Sequence, residues 1–213
     1  MSTFRFQLSI SLDGYVAGPE QSEQNPLGIG GMDLHEWVLK LEAWRTQHGQ
    51  EGGEVNASTP VLEKAQSNVG STVMGRHMFG GGSGPWITDP PWNGWWGDDP
   101  PFHTPVFVLT HHPRTPLQME AGTTFFFVTD GIESALEQAR HAADGQDVVL
   151  GGGANVAQQY LAAGLVDEFE LHIVPILLGS GERLLENIGP IELEQVRAIE
   201  APGVTHIRYR VLR

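Results

Sequence analysis

The sequence predicts an α/β domain, a mixed sheet covered by helices and finished by antiparallel strands, and three observations predict it. Apolar strand patterns and helical patterns alternate between Val106 and Gly164 in the order strand, helix, strand, turn, helix, which is the grammar of βαβ units. Within that stretch Val148-Val149-Leu150 runs straight into Gly151-Gly152-Gly153 and then into a helical pattern from Ala154. Beyond Gly164 the pattern changes to alternation: Phe169, Leu171 and Ile173 against Glu168, Glu170 and His172, then Ile207, Tyr209 and Val211 against Arg208 and Arg210. The 213 residues contain no internal repeat and no interdomain linker, so a single domain over 1–213 is expected.

In chain order, Phe4, Phe6, Leu8 and Ile10 alternate with polar residues, the mark of a strand with one covered face. After a Gly-rich loop, Asp33 and Glu36 form a D-x-x-E capping box for a helix whose apolar stripe is Leu34, Trp37, Val38, Leu41 and Trp44. Thr59-Pro60 opens another helix, with Pro at the first helical position, and Gly70 ends it before a short strand from Ser71 to Gly75. The continuous apolar runs Val106 to Leu109 and Phe125 to Val128 read as strands buried on both faces. Asp130 and Glu133 make a second capping box, ahead of the stripe Ile132, Ala135, Leu136 and Ala139.

Gly80 to Pro105 is too long for a compact connection, since ordinary ones run to about 4–6 residues. It carries Trp86, Trp92, Trp95, Trp96 and Phe102 among many Gly and Pro residues, so an ordered, aromatic-anchored insertion is expected. It could wall a substrate pocket, act as a lid, pin itself to the domain or fill a dimer interface.

Composition narrows the function classes. Twelve Lys plus Arg against 26 Asp plus Glu give a net charge of −14, which opposes sequence-independent attraction to nucleic acid or anionic lipid. A phosphate-bearing ligand must then be held locally, by main-chain amides and a few placed cations. The absence of cysteine excludes disulfides, thiolate chemistry and cysteine-ligated zinc. Met1 to Ser11 lacks a sustained apolar run and reads as a first strand, no segment is long enough to span a bilayer, and a cytoplasmic protein is the default expectation.

The glycine turn is the most informative motif. Glycines let the backbone approach an anion closely, and the unpaired amides of the following helix point at negative charge together with its dipole. The turn is not a Rossmann fingerprint, because Val156 stands where G-x-G-x-x-G needs its last glycine.

Four motifs occur in one order: Ser11-Leu12-Asp13-Gly14-Tyr15-Val16-Ala17-Gly18, Val73-Met74-Gly75-Arg76-His77, Leu150-Gly151-Gly152-Gly153 with Tyr160-Leu161, and Leu165-Val166-Asp167-Glu168 leading to Val174-Pro175-Ile176-Leu177-Leu178-Gly179-Ser180-Gly181. In these the chain resembles the dihydrofolate-reductase-like superfamily, and within it the stand-alone proteins similar to the reductase domain of riboflavin biosynthesis. The resemblance implies a three-layer α/β/α fold around a mixed sheet, NADPH across the carboxyl edge of that sheet, and a homodimer. It implies that Ala17 and Gly18 line the nicotinamide, that Gly75, Arg76 and His77 meet phosphate, and that Gly152, Gly153, Ala154 and Asn155 hold the diphosphate. Thr110 and His111, at a strand end, match the stretch that flanks the adenosine 2′-phosphate, with a hydroxyl and a donor suited to NADP over NAD.

The resemblance also implies hydride transfer to a small imine, carbonyl or pteridine-like substrate, with a nearby acid to supply the accompanying proton. Asp33 is the nearest equivalent of the folate enzymes' carboxylate, beside its reading as a helix cap. Asp13 has either a substrate-side role or a turn with Gly14. Met78 stands where folate enzymes carry a phosphate-contacting threonine, and the 80–105 insertion argues against folate as substrate. Two alternatives stay open: the ribosylaminopyrimidine phosphate substrate of riboflavin synthesis, and an NADP-binding module without activity. No metal site is expected.

Overall fold

The structure is a computed structural model that describes residues 2–86 and 92–213, so residues 87–91 of the expected insertion lie outside the described residues. Its strands are β1 Phe4–Ser11, β2 Tyr15–Ala17, β3 Val69–Gly75, β4 Pro105–Leu109, β5 Leu117–Gln118, β6 Thr124–Val128, β7 Asp147–Leu150, β8 Glu168–Val174, β9 Glu182–Arg183, β10 Leu193–Ala201 and β11 Val204–Val211. Its helices are α1 Glu36–Leu39, α2 Glu42–Gln47, α3 Thr59–Gln66, α4 Arg76–Phe79, α5 Ile132–Ala142 and α6 Ala154–Ala162. The expected mixed α/β sheet with antiparallel C-terminal strands is present. Main-chain proximity divides the chain into two compact units, one of residues up to Phe6 with Asn68–Val166, the other of Gln7–Ser67 with Asp167–Arg213.

In the first unit the strands run in the order β1, β7, β3, β4, β6, β5. All pair in parallel except the two-residue β5, which is antiparallel to β6. The registers Gly75↔Leu109, Leu109↔Val128 and Val73↔Leu150 bring the carboxyl ends of β3, β4, β6 and β7 to one rim, where open α/β sheets bind their ligands. The core cluster there is Met74, Phe79, Val106, Val108 and Phe125. β4 is buried as expected, whereas Phe126 and Phe127 of β6 are only half-buried, because near the edge of the sheet the cover thins.

The tryptophan insertion packs inward on this cluster. Trp92 Nε1 donates to the Phe79 carbonyl at 2.8 Å, Trp96 stacks on Phe125 with centroids 6.0 Å apart, and Trp86 and Phe102 add to the same aromatic group. Of the structural roles open to it, pinning to its own unit is the one the geometry displays. α5 buries Ala135, Leu136 and Ala139 as predicted, but the second capping box does not form. Gly131 holds the cap position, and Asp130 instead accepts the Ser134 hydroxyl at 2.8 Å.

In the second unit the order is β10, β11, β8, β1, and β2 pairs separately with β9. Leu34, Trp37, Val38, Leu41, Leu62, Val174 and Val204 form its core. The apolar stripe read from the sequence is thus right, but the single helix capped by Asp33 is not. Asp33 lies inside a 3₁₀ turn, Gly31–His35, with Gly30 at the cap position and no side-chain cap bond. The helix then breaks at Lys40 and Leu41, since Leu41 is extended and the main chain there pairs with Glu54 (Glu42 N to Glu54 O 2.9 Å, Glu54 N to Lys40 O 2.8 Å). β10 was not foreseen. It carries a bulge between Gln195 and Arg197, which resets the two-residue period, and it exposes Leu193 and Val196.

One face of β8 and β11 is polar and buried. Glu170 accepts Arg197 Nη2 on both carboxylate oxygens at 2.9 and 3.0 Å, and Arg208 Nη2 at 3.0 Å. Next to it runs a chain of hydrogen bonds: Ser58 Oγ to His206 Nε2 at 2.9 Å, His206 Nδ1 to His172 Nδ1 at 2.8 Å, and His172 Nε2 to Gln7 Oε1 at 3.3 Å. With the Gln7 oxygen as acceptor, His172 carries its proton on Nε2, His206 on Nδ1, and Ser58 donates to His206. Both imidazoles are therefore neutral. Burial first, and then neighbouring positive charges, holds His172 down at about 3; burial holds His206 at about 4 against the Glu170 carboxylate, which favours its proton.

Candidate cofactor site

The expected glycine turn into a helix forms at the end of β7. Gly151 N–H is used by Val73 O (2.8 Å) and Gly152 O accepts Gly75 N–H (2.9 Å), so this turn is bolted to the end of β3. Among the described residues no protein acceptor meets the main-chain N–H groups of Gly152, Gly153, Ala154 and Asn155. They form the unpaired start of α6, where the helix dipole adds to their partial charges. A Cβ placed on Gly153 would meet nothing within 4 Å, so the ground in front of these amides is open. The Asn155 side chain is turned away to accept Gln159 Nε2 at 2.7 Å. The Gly152–Gly153 peptide is cis.

Glycine is required at Gly75, because a Cβ there would stand 2.8 Å from Val156 Cγ2. α4 starts directly after it. Arg76 is buried, with Nε donating to Gly82 O and Nη2 to Gly81 O, both at 2.8 Å, and its Cζ lies 2.9 Å over the Trp86 ring. Its Nη1 is buried with no partner. Burial, then the nearby Arg114 charge, lowers this guanidinium to about 10, which leaves it cationic at neutral pH. The guanidinium thus faces the insertion with two of its nitrogens. His77 is exposed, as is Met78.

Thr110 is buried just beyond the Gly75 partner Leu109, and its Oγ1 accepts His112 N–H at 3.2 Å, while His111 is exposed. Two residues outside every motif join this rim. Trp86 Nε1 donates to His112 O at 2.9 Å. Arg114 donates to Trp92 O at 2.5 Å and Asn93 Oδ1 at 3.1 Å, and its Cζ is 4.9 Å from the Trp86 ring. The one signal for Arg114 was its scarcity value, a cation just past His111-His112 in a chain with few.

In the second unit Ala17 and Gly18 pack against the 27–31 loop: Gly18 N–H donates to Leu27 O at 2.8 Å, and a Cβ on Gly18 would fall 1.8 Å from Ile29 O. The same loop leads into the 3₁₀ turn on which Asp33 is exposed. Asp13 takes the Ser11 hydroxyl at 2.6 Å, Leu178 N–H at 3.1 Å and Gly179 N–H at 2.7 Å. The Ser11 bond, with the two amides, outweighs desolvation and lowers its carboxyl to about 2, so Asp13 is an anion that orders the 178–179 turn.

Free amides, a glycine where two strand ends meet, and an orphaned buried guanidinium nitrogen together fit the phosphate portion of a dinucleotide. The described residues contain no group of three or more His, Cys, Asp or Glu suited to a metal ion, and no helix long and apolar enough to cross a membrane.

The chain matches the uncharacterized protein YyaP of Bacillus subtilis (strain 168) at 30% identity over 118 residues, covering 53% of this chain and 62% of YyaP. A solved structure from Shewanella sp. PV-4, named for a suggested part in riboflavin biosynthesis, superposes with TM-score 0.63 at 20% identity, covering 99% of each chain. Dihydrofolate reductase from Enterococcus faecalis, solved with NADP(H), superposes with TM-score 0.53 at 14% identity over 99% of this chain and 97% of that one. The sequence profile of the RibD C-terminal domain matches residues 3–206, and the chain therefore belongs to the RibD C-terminal domain family.

Proposed function

We propose that the chain is a cytoplasmic NADPH-dependent reductase that passes hydride to a small imine, carbonyl or pteridine-like substrate. The observation that carries the reading is the row of N–H groups from Gly152 to Asn155, without acceptors among the described residues, on the carboxyl rim of a sheet in this family. Such a row holds a diphosphate through main-chain donors, which suits a chain whose net charge of −14 would repel a diffuse anion. When bound, NADPH supplies the hydride. The residues of the chain bind and orient it: Gly75, Gly152, Gly153, Ala154 and Asn155 at the diphosphate, Arg76, His77, Thr110 and His111 toward the adenosine phosphate, Ala17 and Gly18 at the nicotinamide.

Asp33, exposed on its 3₁₀ turn, is the group we assign to proton supply, and Asp13 acts by fixing the turn at Leu178 and Gly179. The family and the NADP(H)-bound Enterococcus structure favour catalysis over a binding module. Titration with NADPH and NADH, followed by NADPH oxidation over carbonyl, imine, pteridine and ribosylaminopyrimidine phosphate substrates, tests the reading. Failure to bind either dinucleotide overturns it, and tight binding with no turnover on any substrate class reduces it to the module. Homodimerisation belongs to the same proposal and is checked by light scattering.

A further inference from the structure

On the reductase reading above, the nicotinamide end of the site and the proton supply both fall within the second unit, at Ala17, Gly18 and Asp33. Three segments of that unit pack together around them. Gly18 N–H is bonded to Leu27 O, and a Cβ on Gly31 would stand 3.2 Å from Gly18 N, so the 27–33 loop lies on Gly18. A Cβ on Gly181 would fall 2.1 Å from Ala17 O, and one on Gly30 would stand 3.0 Å from Leu178 Cδ2, so the 176–181 turn touches both. Leu12 N–H donates to Ile176 O at 2.9 Å, which sets Leu12 beside Leu177. This group presents apolar surface. Leu12, Ile29, Met32 and Leu177 are 67, 56, 57 and 72% exposed, and among the described residues Val55 and Leu185 are the other large apolar side chains more than half exposed. Single exposed apolar residues are ordinary, whereas a concentration of them beside a ligand position marks what the ligand brings.

Its charge is equally one-sided. Residues 11–36 carry Asp13, Glu20, Glu23, Asp33 and Glu36 and no Lys or Arg. Desolvation lowers the pKa of half-buried His35, which therefore adds no cation at neutral pH. Over 176–186 the one cation is Arg183, and it is committed: its Nε meets Glu186 Oε1 at 3.3 Å and its Cζ lies 4.5 Å from the Tyr15 ring. Lys40, the next cation along the chain from Asp33, is paired with Glu36 at 3.1 Å. A substrate phosphate brought to these segments would meet Asp13 and Asp33, with their one arginine already neutralised by a carboxylate. Resting on the reductase reading, we propose that the substrate is a non-phosphorylated imine or carbonyl compound with an apolar body, seated against Ile29, Met32 and the Leu12 and Leu177 pair. The apolar side chains select for it, and the carboxylates select against a phosphorylated competitor. A ribosylaminopyrimidine phosphate is thereby excluded as the preferred substrate of this chain.

The test gives the full chain matched pairs of probes with NADPH: para-methoxybenzaldehyde against para-formylphenyl phosphate, and a ribosylaminopyrimidine against its phosphate monoester. NADPH oxidation yields kcat/KM for each, and for a pair that is not turned over, equilibrium binding to the chain saturated with NADP+ is compared instead. The member without phosphate is expected to be favoured by about tenfold or more in each pair. Met32→Ser is expected to raise KM or Kd for para-methoxybenzaldehyde several-fold and to leave NADPH affinity within about twofold, since apolar area is lost on the substrate side alone. Met32→Arg, which supplies a cation at an exposed position, is expected to improve the phosphorylated members several-fold. A wild-type chain that favours the phosphorylated members, or treats both alike, overturns the proposal, as does one that neither reduces nor binds any of the four probes. So does a Met32→Ser variant that handles para-methoxybenzaldehyde like wild type, or a Met32→Arg variant with no gain for the phosphates. Loss of the phosphorylated members alone in Arg183→Gln would assign that arginine to a substrate phosphate and overturn it too. A chain that binds NADPH and prefers the phosphates sinks this inference alone, whereas one that binds neither NADPH nor NADH sinks the reductase reading.

Discussion

Acidification from pH 7 to pH 5 should destabilise this protein through the His172–His206 pair. Both imidazoles are almost wholly inaccessible, 3% and 0% exposed, and the chain from Ser58 to Gln7 is fully satisfied with neutral rings. Protonating both rings would set two N–H groups against each other at a contact of 2.8 Å. The charges facing the pair are mixed: His35 from the neighbouring turn and Arg197 and Arg208 oppose a proton on His172, Glu170, shared by both arginines, favours one on His206 without overcoming burial, and Trp37 presents its ring. Above the ordinary histidine value of 6.5 both folded and unfolded chains are neutral at these positions and pH has no effect. Below it the unfolded chain takes up protons that the folded one refuses, so stability falls as pH falls, down to the folded values of about 4 and 3.

Between pH 7 and 5 each histidine contributes a loss of about 2 kcal/mol, hence about 4 kcal/mol for the pair as an upper figure. For a chain of this size that is a fall in melting temperature of roughly 8–16 °C. Thermal unfolding followed by circular dichroism across this range reads it directly, with His206→Gln as the comparison, since it keeps a hydrogen-bonding side chain but does not titrate. The variant should lose about half of the pH dependence. A melting temperature that is flat from pH 7 to 5, or an equal slope in wild type and variant, would refute the reasoning.

Other perturbations separate stability from binding. Gly153→Ala places a methyl group where nothing lies within 4 Å, so melting should change little while NADPH affinity drops by roughly tenfold or more in titration. Gly75→Ala instead drives a Cβ to 2.8 Å from Val156 Cγ2, and denaturant unfolding should show a loss of about 1–3 kcal/mol. Glu170→Gln leaves Arg197 and Arg208 without their shared carboxylate in a buried setting, and about 3 kcal/mol should go, measured in the same way. Trp96→Ala removes the ring stacked on Phe125 and should cost about 2–4 kcal/mol, with near-ultraviolet circular dichroism reporting loosening of the insertion.

The readable parts of this chain were those whose cause is local. Phe4 to Ile10 alternates because one face is covered, and the glycines before Ala154 mark a turn whatever the rest of the molecule does. The turn and the start of α6 could be located for that reason. Asp33 and Glu36 carry a sound capping signature, yet main-chain pairing with Glu54 diverts the backbone at Lys40 to Glu42, and no pattern of side chains announces it. β10 escaped because its bulge shifts the parity on which strand reading depends. The motif implied a phosphate-facing role for Arg76, but its partners in the structure are the carbonyls of Gly81 and Gly82, groups that every residue possesses. The Ser58 to His206 contact joins positions 148 apart, and only the assembled fold brings them together.

The kink in β10 has a bearing on behaviour at high concentration. As the outermost strand, with Leu193 and Val196 uncovered, it could act as a template on which further chains add and grow into fibrils. The misfit at Gln195 to Arg197, set among Glu194, Arg197 and Glu200, denies an incoming strand both a straight rim and a neutral one. Repairing that irregularity would give a protein more regular to look at and more prone to precipitate.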